Sequence, residues 1–314
     1  MSSVRRWRRV CADGEDFAGI PRSAHSGSPE RTLDCTQRKE DGIEPADAID
    51  RAPLDAAALR DGLVGPDMPW RQLDVVAETG STNADLLARA EGGADIDGSV
   101  LLAEYQSAGR GRHGRQWSAP PRTQVALSVG VAGASVPSPG WGWLTLAVGV
   151  AVADALTALG IEVGLKWPND VLANGGKLAG ILAEVAAPTP VIVVGLGLNV
   201  TLTADEAPDP RATSLLMLGS SATDRNILAR RILRELALRI DAWRTAGGAD
   251  SALIADYQRY SLTLNSRVRA SMPGDREVVG VARSVDETGR LCVDTGAETV
   301  AISAGDITHL RPSV

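Results

Sequence analysis

Gly175-Gly176-Lys177-Leu178-Ala179-Gly180-Ile181-Leu182-Ala183-Glu184, followed by the apolar run Val191–Asn199, carries the reading that decides the fold. Leu178–Val185 and Val191–Leu196 have strand length and strand composition. Pro188-Thr189-Pro190 between them signals a turn, so the two predict paired strands. Lys166 ends an earlier strand-like run, and Lys177 opens the next across a short hairpin-like connection. Working outward toward the N-terminus, Gln124–Val131 and Val100–Tyr105 read as strands, with a Gly/Arg loop over 107–122 between them. Leu73–Ala77 is a further strand, after which Ser81-Thr82-Asn83 caps a helix running to about Ala90. Leu144–Leu159 predicts a long apolar helix, buried in the core. Toward the C-terminus, Arg225–Trp243 and Asp250–Tyr260 are amphipathic helices. This alternation predicts an α/β (α+β) domain on a mixed sheet.

The two ends read differently. Residues 1–52 mix small, polar and charged types without apolar periodicity, nine basic against ten acidic, and predict a disordered extension. Leu54–Val64 then predicts a short helix, preceded by Pro53 and closed by Gly65-Pro66. From Leu262 to Arg311, short β-rich runs alternate with Met272-Pro273-Gly274-Asp275, Asp286-Glu287-Thr288-Gly289 and Thr295-Gly296. Such spacing predicts a small barrel of about five strands. The expected organisation is therefore an extension over 1–52, an α/β domain over 53–261 and a small β-barrel domain over 262–314.

Composition excludes several classes. No apolar run reaches the roughly 18 residues of a membrane span, and no apolar segment follows the early arginines as a secretory signal requires. A net charge of −7 argues against a general nucleic-acid surface. Cys11, Cys35 and Cys292 show neither metal-ligand spacing nor a disulfide framework, which points to a reducing cytoplasm. The chain holds 29 arginines but only three lysines, Lys39, Lys166 and Lys177. An ammonium is not interchangeable with a planar guanidinium, so the two neighbouring lysines mark positions that need lysine itself.

The loop Gly109-Arg110-Gly111-Arg112-His113-Gly114-Arg115-Gln116-Trp117 formally satisfies G-x-G-x-x-G. A dinucleotide fingerprint must open directly into a helix, whereas this loop runs through Pro120-Pro121 into a strand. No acidic residue lies between Glu104 and Asp154, so Arg110, Arg112, Arg115 and Arg122 are uncompensated in sequence. A glycine-spaced arginine loop suits a polyphosphate or a carboxylate, and is expected to stay mobile until an anion orders it. The alternatives are a solvated surface loop or one touching RNA. Lys166-Trp167-Pro168-Asn169-Asp170 precedes Lys177, which would let both ammonium groups face one cleft. Gly195-Leu196-Gly197-Leu198-Asn199 permits close backbone approach to a ligand, and Asn199 either presents its amide to a base or caps a turn. His113 and His309 are the histidines outside the extension, so a Ser-His-Asp triad or a histidine-rich metal site is not expected. There is no G-x-x-x-x-G-K-[ST] phosphate loop either.

Taken in order, Ser81-Thr82-Asn83, Gln106, the Gly109–Trp117 loop, Lys166–Asp170, Lys177–Glu184 and Gly195–Asn199 resemble the biotin–protein ligases. The resemblance spans about 70–312. It implies a biotin/lipoate-ligase-like catalytic domain on a mixed sheet with a small C-terminal SH3-like β-barrel. It also implies a two-step reaction: biotin and Mg-ATP give biotinyl-5′-AMP and pyrophosphate, and a carrier lysine then attacks the mixed anhydride and releases AMP. Bringing one anion onto another calls for preorganised cations, which agrees with the arginines and lysines above.

Carried over, Ser81, Thr82, Asn83, Gln106, Arg110, Gly111, Arg112 and Lys177 are the implied biotin contacts. Arg110, Arg112, Arg115, Trp117, Lys166 and Asn199 are the implied nucleotide contacts, with Trp117 either stacked on adenine or serving as a packing anchor. Lys166, Lys177, Arg110 and Asp170 are the implied catalytic set, Asp170 orienting the incoming amine or receiving its proton. Mg²⁺ enters with ATP and no protein metal site is implied. The implied partner is the biotin carboxyl carrier domain of an acyl-CoA or pyruvate carboxylase, in the cytoplasm. Some relatives carry an N-terminal winged helix-turn-helix, and residues 1–66 lack its three amphipathic helices, so DNA is not an expected partner. A lipoate–protein ligase of the same fold and a non-enzymatic anion- or RNA-binding module are the rival readings.

Overall fold

The computed structural model describes residues 49, 51–65, 68–187, 190–272, 276–303 and 305–310. Pro66, Pro188-Thr189 and Pro273–Asp275, read above as turn residues, and nearly all of the 1–52 extension lie outside them.

The first part of the chain runs α1 (Ala56–Arg60), β1 (Gln72–Val76), α2 (Thr82–Glu91), β2 (Ser99–Ala103), β3 (Gln124–Ala132) and α3 (Gly142–Thr157). Four strands follow: β4 (Gly164–Lys166), β5 (Asp170–Ala173), β6 (Gly176–Ala186) and β7 (Val191–Asn199). Two helices, α4 (Arg225–Ala246) and α5 (Ser251–Tyr260), close this region. The seven strands form one sheet in the order β1-β2-β3-β7-β6-β5-β4. Only β1 and β2 run parallel, so the sheet is mixed as expected. The two strands that open the sequence analysis are its centre, with Ala179 opposite Leu198 and Ala186 opposite Val191.

Local chemistry explains the element ends. Ser81, Asp224 and Asp250 cap α2, α4 and α5 by accepting backbone N–H groups of the first turn. Gly247, with φ 69°, takes the left-handed position that stops α4. The segment Ser138–Thr157 is long and apolar enough on composition to cross a bilayer, which the absence of an expected span did not register. It is 72% buried in the fold, so its apolar character belongs to a core helix.

Three expectations are corrected. The first helix covers Ala56–Arg60 rather than Leu54–Val64, because Asp55 caps it late and Gly62 (φ 70°) turns the chain soon after. Lys166 and Lys177 are not joined by a simple hairpin connection, since β5 lies between them and pairs with both flanking strands. The extension expected to end at residue 52 stops short of Arg51 and Ala52, both of which bond to the α/β region.

The C-terminal strands β8 (Arg267–Met272), β9 (Arg276–Val285), β10 (Leu291–Asp294), β11 (Thr299–Ile302) and β12 (Asp306–His309) form an antiparallel sheet ordered β11-β10-β9-β8-β12. Two indoles fix it to the α/β region, one from α3 and one from the residue after β4. Trp143 Nε1 donates to the Asp286 carbonyl at 2.8 Å, and Trp167 Nε1 to the Gly289 carbonyl at 3.0 Å. Gly142 meets the Thr288 carbonyl so closely that a Cβ there has no room. Thr263, fully buried, accepts the Trp167 backbone N–H at 3.0 Å and lies 3.1 Å from His309 Nε2. These contacts bring the β12 end beside Lys166-Trp167-Pro168.

Candidate active site

Every residue of the implied biotin, nucleotide and catalytic sets lines one cavity of about 900 Å³ over the β6–β7 centre of the sheet, whereas Arg122 and His113 of the loop region do not. That volume lies near the top of the roughly 300–1,000 Å³ range of small-molecule sites.

A polar chain forms one end. Gln106 Oε1 accepts the Thr82 N–H at 2.9 Å and its hydroxyl at 3.1 Å. The Thr82 hydroxyl also meets Ser128 Oγ at 2.7 Å, and Ser128 donates to Asn83 Oδ1 at 2.6 Å. Asn83 Nδ2 then donates to Glu184 Oε2 at 2.8 Å and to the Leu182 carbonyl at 3.2 Å. Gly195 leaves the space that Asn83 occupies; a Cβ would strike its amide. Ser81 is buried, its hydroxyl accepting the Ala84 N–H at the helix start. A satisfied network of this kind fixes side-chain orientation. Ser128 was missed in the sequence, although a serine inside the run Val125-Ala126-Leu127-Ser128-Val129 was a legible signal.

The arginine loop is a closed hairpin rather than an open arc. Gly111 N–H bonds the Arg115 carbonyl at 2.7 Å, and Trp117 N–H the Gly109 carbonyl at 2.9 Å. Its cations are also compensated, contrary to the expectation from local sequence. Arg110 lies 3.6 Å from Glu184, Arg115 pairs with Asp306 from β12, and Arg112 donates to Asn169 Oδ1 at 3.2 Å. The acids come from strands far along the chain, where a charge window could not find them. Burial pushes the Arg112 guanidinium below its ordinary value.

Trp117 lies across the centre of the sheet. Gly180 and Gly197, on adjacent strands, leave a slot into which its indole fits, and a Cβ at either would collide with the ring. Its Nε1 donates to Gln124 Oε1 at 2.6 Å. The ring is therefore packed on one face, while the residue remains half-exposed on the cavity.

The Lys177 ammonium sits 5.5 Å from the centre of that ring and 2.6 Å from Asp170 Oδ1. That oxygen has no directed hydrogen bond, so the lysine–aspartate contact is a charge pair. Lys177 is also held by its backbone, which bridges to Arg211 and Thr213 at 2.7 and 3.0 Å. Asn199, buried, donates to the Thr213 carbonyl at 2.9 Å and so serves as a cap to that segment. Lys166 faces the same space from the end of β4. Burial pushes its ammonium below the usual 10.5; Asp170 opposes this, while Lys177 and Arg211 add to it.

Sequence reasoning also missed Asp209, Arg211, Asp306 and His309, which line the cavity from segments without a local motif. Arg211 holds the Asp209 carboxyl down at about 2. Among the described residues the lining thus carries six cations, Arg110, Arg112, Arg115, Lys166, Lys177 and Arg211, against Asp170, Asp209 and Asp306. An excess of positive charge in a chain of net −7 marks a site for an anion.

Comparisons with known proteins bear on what that anion is. Residues 82–199, and again 142–258, match the biotin/lipoate A/B protein ligase family, and residues 263–310 match the biotin protein ligase C terminal domain. The chain is 60% identical over 265 residues to the biotin–[acetyl-CoA-carboxylase] ligase of Mycobacterium tuberculosis, covering 83% of this chain and 97% of that one. It is 33% identical over 225 residues to the bifunctional ligase/repressor BirA of Escherichia coli, covering 68% of this chain and 66% of that one. Among solved structures it resembles the biotin protein ligase of Aquifex aeolicus in complex with biotin and ATP. That match has TM-score 0.66 and 24% identity, over 77% of this chain and 100% of that one.

Proposed function

The chain belongs to the biotin protein ligases of the biotin/lipoate A/B protein ligase family, and from that premise we propose which of its residues carry each step of the ligation. The enzyme joins biotin to ATP as biotinyl-5′-AMP and passes the biotinyl group to a lysine of a carboxylase carrier domain. The observation that carries the residue assignment is the convergence of six cations against three carboxylates on one cavity.

In the first step a biotin carboxylate oxygen bonds to the α-phosphorus of ATP, and pyrophosphate leaves with the bond electrons. Thr82, Asn83 and Gln106 would orient the biotin head group through the polar chain that ends at Glu184. Gly111 and the Arg110 and Arg112 side chains would border the carboxylate. Lys177 and Lys166 would neutralise the charge that gathers as two anions meet, a contribution that strengthens in the transition state. Arg115 and Arg211 are the cations available to the departing phosphates. The slotted Trp117 offers the face of its indole to the base, while Asn199 acts through the segment it caps. Mg²⁺ arrives on ATP as part of that substrate.

In the second step the carrier amine bonds to the acyl carbon and AMP leaves. A lysine amine starts protonated near pH 7, so a proton must depart, and Asp170 is the lining carboxylate assigned to orient or receive it. The carrier is proposed to be that of an acyl-CoA or pyruvate carboxylase in the cytoplasm, with neither DNA nor membrane as a partner. The test is isotope exchange between pyrophosphate and ATP, measured with and without biotin, then transfer of labelled biotin to a carrier domain. Exchange that does not need biotin would overturn the assignment of the first step.

A further inference from the structure

Arg51 lies outside the cavity, just ahead of α1, yet it holds one of the cavity's walls. Its guanidinium grips Glu206 through both terminal nitrogens, Nη1 to Oε1 at 2.9 Å and Nη2 to Oε2 at 2.7 Å. Nη2 also donates to the Thr201 carbonyl at 3.1 Å. Glu206 in turn accepts the Thr203 N–H and hydroxyl, each at 3.1 Å. The segment 201–213 anchored in this way carries Leu202, Asp209 and Arg211 to the cavity, and its far end rests on the Lys177 backbone. It is therefore pinned at one end by Lys177 and at the other by Arg51.

Arg51 is itself held from behind. Arg225 Nη2 donates to the Ala52 carbonyl at 2.6 Å, and Leu54 N–H to Glu104 Oε1 at 2.6 Å. Arg225 and Glu104 are a buried ion pair at 2.6 Å, with side chains 4% and 9% exposed. A forked, bidentate pair on such a support specifies orientation as well as charge.

We infer that Arg51 is a positioning residue for the nucleotide: it sets segment 201–213 so that Arg211, oriented by Asp209, meets ATP at the correct distance. The inference rests on the adenylation reading above. It separates the two substrates, because the biotin-side chain from Gln106 to Glu184 shares no bond with this segment among the described residues. The Arg51 guanidinium holds the Glu206 carboxyl down at about 2, so the clamp stays charged throughout any working pH.

The test uses the full chain with Arg51→Ala, Arg51→Lys, Glu206→Gln and the Arg51→Ala/Glu206→Gln pair, read by biotin-dependent ATP–pyrophosphate exchange. Arg51→Ala should raise KM for ATP roughly five- to tenfold and leave KM for biotin within about twofold. Lysine should rescue part of the loss, and the double variant should be no worse than Arg51→Ala, since Glu206→Gln acts on a fork that Arg51→Ala has already removed. An unchanged KM for ATP, or equal rises in both constants with a lowered melting temperature, overturns the inference. Absence of biotin-dependent exchange in the unsubstituted protein overturns the ligase reading instead. Amide exchange over 201–213 then judges the anchor alone: faster exchange in Arg51→Ala upholds it, and an unchanged rate overturns it.

Discussion

Lys166 and Lys177 share a cavity but not an environment, and this separates their responses to mutation and to pH. Lys177→Gln removes a charge proposed to stabilise the acyl-phosphate more than the starting carboxylate. Adenylation should slow roughly 10²–10³-fold, about 3–4 kcal/mol by analogy with deleting one transition-state donor. Lys177→Arg should rescue in part, since its donors lie in a fixed plane. Single-turnover formation of biotinyl-5′-AMP, beside a thermal melt, measures both. Lys166 carries a depressed ammonium, so its charge is present at low pH and lost as pH rises, earlier than for an exposed lysine. Activity in ATP should fall on an alkaline limb below 10.5, and Lys166→Arg, with lower activity, should lack that limb. A limb that survives the substitution assigns the titration to another group. The rarity of lysine made both positions legible in the sequence. Glu184 and Asp306 were not legible as partners of the loop, because their pairing depends on strand placement that no local charge pattern records.

At the scale of elements, the sequence was most legible where strands were long and apolar. The β6–β7 pair and α3 were read to within a few residues. The four residues of β5 were missed because Lys166 to Lys177 was read as one short connection, which left no room for the strand that begins on Asp170. The slot in β6 and β7 gives this layer its test. Gly197→Ala places a Cβ into the Trp117 indole. Overpacking of this kind costs about 1–3 kcal/mol when it is not relieved, and here the half-exposed ring can swing outward instead. The variant should stay folded, while its KM for ATP rises with little change for biotin. Loop and slot also act together under protease: nicking after Arg110, Arg112 or Arg115 should slow when biotin and ATP are added. Cutting that ignores both ligands would leave the loop as ordinary surface.

For the whole molecule, the boundary expected at residue 52 is tested by a chain beginning at Pro53. That truncation removes Arg51 and the Ala52 carbonyl that Arg225 engages. It should reproduce the ATP defect of Arg51→Ala, whereas a chain beginning a few residues before Arg51 should not; steady-state constants on the two truncations decide it. The composition of 1–52 gave no hint of this, since one arginine among nine basic residues has no local mark of its partner 155 positions away. The Trp117 slot has an optical consequence as well. Trp70, Trp143 and Trp243 are sealed in the core, each donating to a fixed backbone carbonyl, so their emission should form a constant background. Trp117 instead sits beside a lysine charge in the lining of the cavity. Nucleotide entering the cavity should shift or quench its fluorescence, providing a colourless substrate with a signal read in real time without any attached dye.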